Sequence, residues 1–111
     1  MPKSPPELSA RFDAMVTRYP EATRRQMFGY PALFVGGNLT TSLFSDRWVI
    51  RLPPADLAEI LQLPDAARFE PMPGRPMGGY ALLPRDVVDD DVALDAWIRR
   101  AIAHTSGLPA K

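Results

Sequence analysis

Met27–Leu52 reads MFGYPALFVGGNLTTSLFSDRWVIRL, and the fold follows from how this stretch divides. Gly36-Gly37-Asn38 splits it first, because all three residues tolerate positive φ and so suit a hairpin turn. Ser45-Asp46-Arg47 splits it again. The result is three antiparallel strands in a row. In the third, Trp48, Ile50 and Leu52 alternate with Arg47, Val49 and Arg51, which predicts an apolar face toward packed helices and an Arg-Val-Arg face away from them. The first strand is apolar at both parities, through Met27, Phe28, Tyr30, Leu33, Phe34 and Val35. That pattern calls for burial on both faces or for a bulge near Gly29-Tyr30-Pro31. Pro31 cannot donate to a ladder, so it belongs at an edge, a bulge or a gap between bonds.

Working outward, Ser4-Pro5-Pro6-Glu7 has the form of a helix start, with Ser as N-cap, Pro in the first turn and Glu closing a capping box. Leu8, Phe12, Met15, Val16 and Tyr19 follow at helical spacing, and Pro20 stops the helix. Glu21 to Arg25 reads as a connector. After the strands, Pro53-Pro54 opens a second helix with Leu57, Ile60 and Leu61 as its buried stripe, and Pro64-Asp65 ends it. Arg68 to Glu70 is a short strand. Pro71 to Gly79 is a loop full of breakers, and Tyr80 to Leu83 is the last strand. Asp86 to Asp90 forms a turn and cap. A last helix runs from about Asp90 to His104, with Leu94, Trp97, Ile98, Ala101 and Ile102 inward. The expected fold is α+β, two-layered, in the order α-β-β-β-α-β-β-α. It has a five-stranded antiparallel sheet with the helices on one face. The other face must be wet, covered by the Pro71–Gly79 loop, or covered by a second subunit.

A chain of 111 residues with 46% hydrophobic and 23% charged residues is one globular domain. We divide it into a tail and helix cap (1–7), the domain proper (8–104) and a C-terminal tail (105–111). Thirteen prolines punctuate the elements; they form no low-complexity tract. There is no cysteine, hence no disulfide framework and no thiolate zinc site. No signal-peptide core and no membrane-length apolar run is present, so a cytoplasmic, membrane-free location is expected. Formal charge is zero, with 13 basic and 13 acidic side chains. Direct nucleic-acid binding, which needs a basic face able to neutralise several phosphates, is not expected.

Several ordered segments carry a resemblance. Arg25-Gln26-Met27-Phe28-Gly29-Tyr30-Pro31, the Gly37-Asn38 turn, Arg51-Leu52-Pro53 and Phe69 to Met77 (FEPMPGRPM) are similar to the TfoX N-terminal domain family. So is Tyr80 to Pro84 followed by an acidic cap and Leu94-Asp95-Ala96-Trp97-Ile98. The resemblance spans about residues 8–104 and implies the same element order. The family's name-giving members resemble regulators of natural competence and carry a further, C-terminal helical domain. This chain stops at Lys111, so the resemblance implies a stand-alone bacterial-type member. It supplies no catalytic residues to carry over.

Candidate functional residues are few. Arg75 lies between Pro73-Gly74 and Pro76, where a preorganised guanidinium could grip a carboxylate or phosphate. Arg47 and Arg51 share one strand face, and the three guanidiniums would converge if the loop lay over that face. Met27-Phe28-Gly29-Tyr30 could line a pocket, Gly29 permitting close approach, and Met77, in the loop with Arg75, is a further candidate for ligand or partner binding. Against these stand plainer roles: carbonyl capping by Arg75, a solvated Arg47/Arg51 face, and core filling by Met72 and Met77. His104 has no nucleophile or carboxylate at a fixed offset. Asp89-Asp90-Asp91 lacks the glycine and distal Glu of a calcium loop and reads as a helix cap. No catalytic, cofactor or metal motif is present. The expected function is a non-enzymatic regulatory or protein-interaction module, with a protein partner and a possible homodimer. The alternative is a small-anion binder, conceivably an enzyme, using Arg75 with Arg47 or Arg51.

Overall fold

The computed structural model describes residues 3–111; Met1 and Pro2 lie outside them. Among the described residues there are four helices and six strands. They are α1 (Pro6–Val16), β1 (Thr23–Met27), β2 (Tyr30–Val35), β3 (Asn38–Phe44), β4 (Arg47–Arg51), α2 (Pro54–Leu61), β5 (Ala67–Arg68), β6 (Tyr80–Leu82), α3 (Arg85–Val88) and α4 (Asp91–Ser106). The sheet is wholly antiparallel, in the order β1-β2-β3-β4-β6-β5. The fold is therefore α+β, with six strands in place of the expected five and four helices in place of three, α3 forming where the sequence suggests only a turn and cap. The added strand is β1, which the sequence presents as a connector because Thr23-Arg24-Arg25-Gln26 shows no apolar alternation. Phe28-Gly29 is the two-residue turn joining it to β2, with φ of 56° and 81°.

Pro31 is opposite Gln26 and falls before the β2–β3 ladder begins at Ala32 and Ser42. Its missing N–H thus leaves no ladder bond unmade. The irregularity expected near Gly29 lies elsewhere. Leu33 faces Thr41 while Phe34 faces Leu39, so Thr40 is an extra residue in β3. The bulge sets Thr40 and Thr41 both toward the helices. The Thr40 hydroxyl meets that of Thr105 on α4 at 2.8 Å, and Thr105 donates to the Ala101 carbonyl at 2.9 Å. Thr41 accepts the indole N–H of Trp48 at 2.8 Å and donates to the Val49 carbonyl. Buried hydroxyls are thereby satisfied inside an otherwise apolar layer.

The expected apolar stripes all point inward. Phe12 and Met15 of α1, Ile60 of α2, and Leu94, Trp97, Ile98, Ala101 and Ile102 of α4 pack on Leu33, Leu43, Trp48, Ile50, Leu52 and Leu83. Phe12 and Trp48 meet ring to ring at 5.1 Å. Tyr19, just past α1, donates to the Asp95 carboxylate on α4 at 2.6 Å. Burial, together with that carboxylate, raises the Tyr19 phenol to about 12. The start of α1 differs from the reading. Ser4 does not cap α1, whose N-cap is Pro5 without a side-chain bond; its hydroxyl donates to the Ser45 carbonyl at 2.7 Å. Asp90 of the acidic triplet does cap α4, accepting from Val92 and Ala93. α4 extends to Ser106, and the chain beyond it docks on the β2–β3 turn. There Lys111 donates to the Gly36 carbonyl at 2.8 Å, and Asn38 to the Pro109 carbonyl at 3.0 Å. A side chain at Gly37 would meet the Lys111 carbonyl oxygen at 2.8 Å.

The bulge contact can be tested by a double-mutant cycle. Thr40→Val and Thr105→Val should each cost about 1–3 kcal/mol, because each leaves the other hydroxyl buried with a poorer partner. The double variant should cost clearly less than the sum, as read from urea unfolding midpoints at constant m.

Candidate functional site

The second sheet face, turned away from the main helical core, is apolar as well. Ala32, Leu39, Val49, Phe69 and Tyr80 form a second buried cluster, with Met27, Phe34, Phe44, Met77 and Leu82 packed around it. Val49 is therefore fully buried in what the sequence presents as a solvated Arg-Val-Arg face. Of the three coverings open to that face, the loop provides part. Phe69 follows β5 directly, is 2% exposed, and seats its ring 5.2 Å from Phe44. Tyr80 reaches across to the Leu39 carbonyl at 3.5 Å. Met77 donates its N–H to the Phe69 carbonyl at 2.8 Å, folding the loop back on itself.

Between these anchors the loop is a tight turn. Arg75 N–H donates to the Met72 carbonyl at 2.9 Å, Gly74 has φ 76°, and the Glu70 carboxylate accepts from Gly74 N–H at 3.3 Å. This cover spans β3, β4 and β6. Beyond Ala32, which is itself buried, the face over Phe34 and β1 is only partly covered, with Arg25 exposed and its guanidinium 5.6 Å from the Phe34 ring.

The three arginines singled out in the sequence have three different fates. Arg47 is tied down: one guanidinium nitrogen donates to the carbonyls of Asp65 (2.7 Å) and Leu83 (3.1 Å), and the Asp65 carboxylate lies 3.7 Å away. Its buried Nε has no partner among the described residues. Asp65 is itself held below the usual carboxylate range, chiefly by the Arg85 backbone N–H and then by Arg47 and Arg85. Arg51 lies 5.5 Å from the Tyr80 ring, whose phenol is raised by burial against the opposing pull of Arg51. Arg75 is exposed, and its side chain has no bond or ion pair among the described residues. Arg47 and Arg51 stand about 13 Å apart along β4, and no contact joins either to Arg75.

Met27, Phe28, Gly29 and Tyr30 do come together at one corner. Phe28 is 53% exposed, and its ring stands edge-on to Phe44 at 6.1 Å; Tyr30 meets Phe44 at 5.2 Å. A shallow groove of about 440 Å³ runs past this corner, between Lys3, Ser4 and Ser9 on one side and Arg24, Gln26 and Pro31 on the other. Sequence reasoning missed a larger cleft of about 790 Å³ between α1 and the α3–α4 region. Its apolar walls are Met15, Trp48, Leu83 and Leu94, and ion pairs from Arg11 to Asp91 and from Arg18 to Asp95 link α1 with α4 beside it. No local pattern marks it, since its walls come from four separated segments. Among the described residues no group of His, Cys, Asp or Glu is placed to hold a metal, and no helix is long and apolar enough to cross a membrane.

The different engagement of the arginines predicts different stability effects. Arg47→Ala should cost about 2 kcal/mol, since it strips two carbonyls of a charge-assisted donor. Arg75→Ala should stay within about 0.5 kcal/mol of wild type. Thermal and urea unfolding of the two variants side by side checks this.

No curated protein and no solved structure matches this chain. The model of one family, described as the TfoX N-terminal domain, matches residues 14–105 of the 111. The match runs from the last turn of α1 to Thr105 in the last turn of α4 and takes in the whole sheet and the Phe69–Gly79 cover. The chain belongs to the TfoX N-terminal domain family.

Proposed function

We propose that this chain is a non-enzymatic interaction module that acts by contact with another protein, and that the contact centres on the Phe28 corner of the second sheet face. One observation carries this reading. Phe28 holds φ 56° at a turn tip and remains 53% exposed. The left-handed region costs a bulky L residue roughly 1–2 kcal/mol, and Asn or Gly would fill this turn position without that cost. The contact with Phe44 uses only part of the ring, and the use of the exposed remainder is sought outside the chain. Met27, Phe34 and Met77 are only partly buried around the cluster it adjoins. Aromatic and Met side chains edged by arginine are the composition that protein contacts favour. A regulatory role, which the sequence resemblance implies, agrees with such a surface.

A second reading, a binder of small anions, has one observation in its favour: the uncommitted Arg75 guanidinium on a tight hydrogen-bonded turn. Arg51 is the arginine left to join it, because Arg47 is occupied by two carbonyls.

Phe28→Gly separates these readings. It relieves the strained φ and loses a half-exposed ring contact, two effects of about 1 kcal/mol each and of opposite sign. Its melting temperature should therefore stay close to wild type. In a strain deleted for the gene, the transcript profile should be restored by wild type and by Arg75→Ala, and not by Phe28→Gly. Restoration by Phe28→Gly with failure of Arg75→Ala would favour the anion binder. That outcome should then coincide with a phosphate- or dicarboxylate-induced rise in melting temperature that Arg75→Ala abolishes.

A further inference from the structure

The sheet has two edges, and they are unlike. β5 is two residues long. β1 is five residues long, pairs only with β2, and has Thr23 to Gln26 all exposed. Its outward hydrogen-bonding groups can be assigned. Met27 and Tyr30 flank a two-residue turn, so they form the bonded pair that closes the hairpin. The next pair, Gln26 with Pro31, must then be the non-bonded kind, which the missing N–H of Pro31 independently requires. Alternation along the ladder makes Arg24 with Leu33 non-bonded as well. The N–H and C=O groups of Arg24 and Gln26 therefore point outward, as a row ready to accept another strand.

We propose that this edge receives an extended acidic segment of a partner protein, which adds to the sheet as a seventh, antiparallel strand. The inference rests on the interaction-module reading and names how the partner binds. Charge selects the occupant. β1 carries Arg24 and Arg25 and no acidic residue, and Lys3 lines the groove beside it. A second copy paired antiparallel through the same edge would set arginine against arginine, which disfavours self-association. An acidic strand meets the same two residues favourably. Arg24 already shares the Asp13 carboxylate at 2.9 Å on an exposed surface, where a second carboxylate can reach it. Arg25 lies over the Phe34 ring on the opposite face, and Met27 follows on that same face. The recruited strand, read from its N-terminus, therefore carries an apolar residue opposite Met27, a variable one opposite Gln26, and acids opposite Arg25 and Arg24. Main-chain bonds hold such a strand, and side chains on alternate faces select it.

The test is a selection of random ten-residue peptides displayed against the purified chain, followed by amide hydrogen exchange with the enriched peptides. Acidic peptides of the pattern apolar–any–acid–acid should be enriched, and they should slow exchange at Arg24 and Gln26. The pair of charge reversals Arg24→Glu and Arg25→Glu should weaken them by about tenfold or more. Gln26→Pro removes an outward donor without touching the β1–β2 ladder and should also abolish binding. Peptides that bind without protecting Arg24 and Gln26, or that ignore both charge reversals, overturn the edge proposal. If such peptides still depend on Phe28, the interaction-module reading stands without it. Protection of these amides in the unliganded chain that grows with concentration would assign the edge to a second copy and overturn the acidic partner. A selection that enriches nothing overturns both readings.

Discussion

The second face of the sheet depends on the contact of Phe69 with Phe44. An antiparallel sheet between helices and water needs one apolar face; this sheet has two, and the helices supply cover for one. Phe69 leaves β5 and lies nearly inaccessible against Phe44, 5.2 Å away, with Tyr80 beside it reaching to Leu39. Without that plug Val49, Ala32 and Leu39 would face solvent, and removing buried apolar area on this scale forfeits several kcal/mol of the small margin that holds a domain folded. The Pro71–Gly79 loop returns to the sheet where Met77 donates to the Phe69 carbonyl and Leu52 donates to Gly79. The cover ends at Ala32 of β2, leaving Phe34 and Met27 only partly buried.

Where the cover stops, the chemistry of the surface changes. The uncovered strip carries Met27, Phe34 and Phe28 with Arg25 beside them, and it ends on the open edge of β1. On the opposite side of the sheet, ion pairs such as Arg11 with Asp91 and Arg99 with Asp95 neutralise the helix surface locally. This asymmetry agrees with the functional reading: Arg11, Arg18, Arg99 and Arg100 on the helical side are ion-paired within the chain, whereas the Phe28 ring is half exposed and the Arg75 side chain makes no ion pair among the described residues.

Much of the fold was legible because its signals are local. Helical spacing picked out Phe12 and Met15, Ile60, and the α4 stripe, all of which are buried. Period-two alternation found β4, and glycine pairs found the β2–β3 turn. What escaped depends on distant neighbours. β1 has no apolar face of its own because it is an edge strand under no cover. The Thr40 bulge is fixed by Thr105, which lies 65 residues away. Ser4 gave up its expected cap for the carbonyl of Ser45, 41 residues on. The site was legible as residues and not as an arrangement. Met27 to Tyr30 form one corner, as their adjacency implied. Arg47, Arg51 and Arg75 could not be sorted from sequence, since Arg47 is claimed by backbone carbonyls of Asp65 and Leu83 that only the folded chain brings near.

The central claim is that the Phe28 corner is a protein contact surface. A photo-crosslinking amino acid placed at position 28, and in a separate strain at position 92, tests it in living cells of the source organism. Val92 is the fitting control, being apolar and 81% exposed on the helical side. The account predicts a discrete crosslinked product with a different protein from position 28 and none from position 92. Equal products from both positions, or none from position 28, would contradict it.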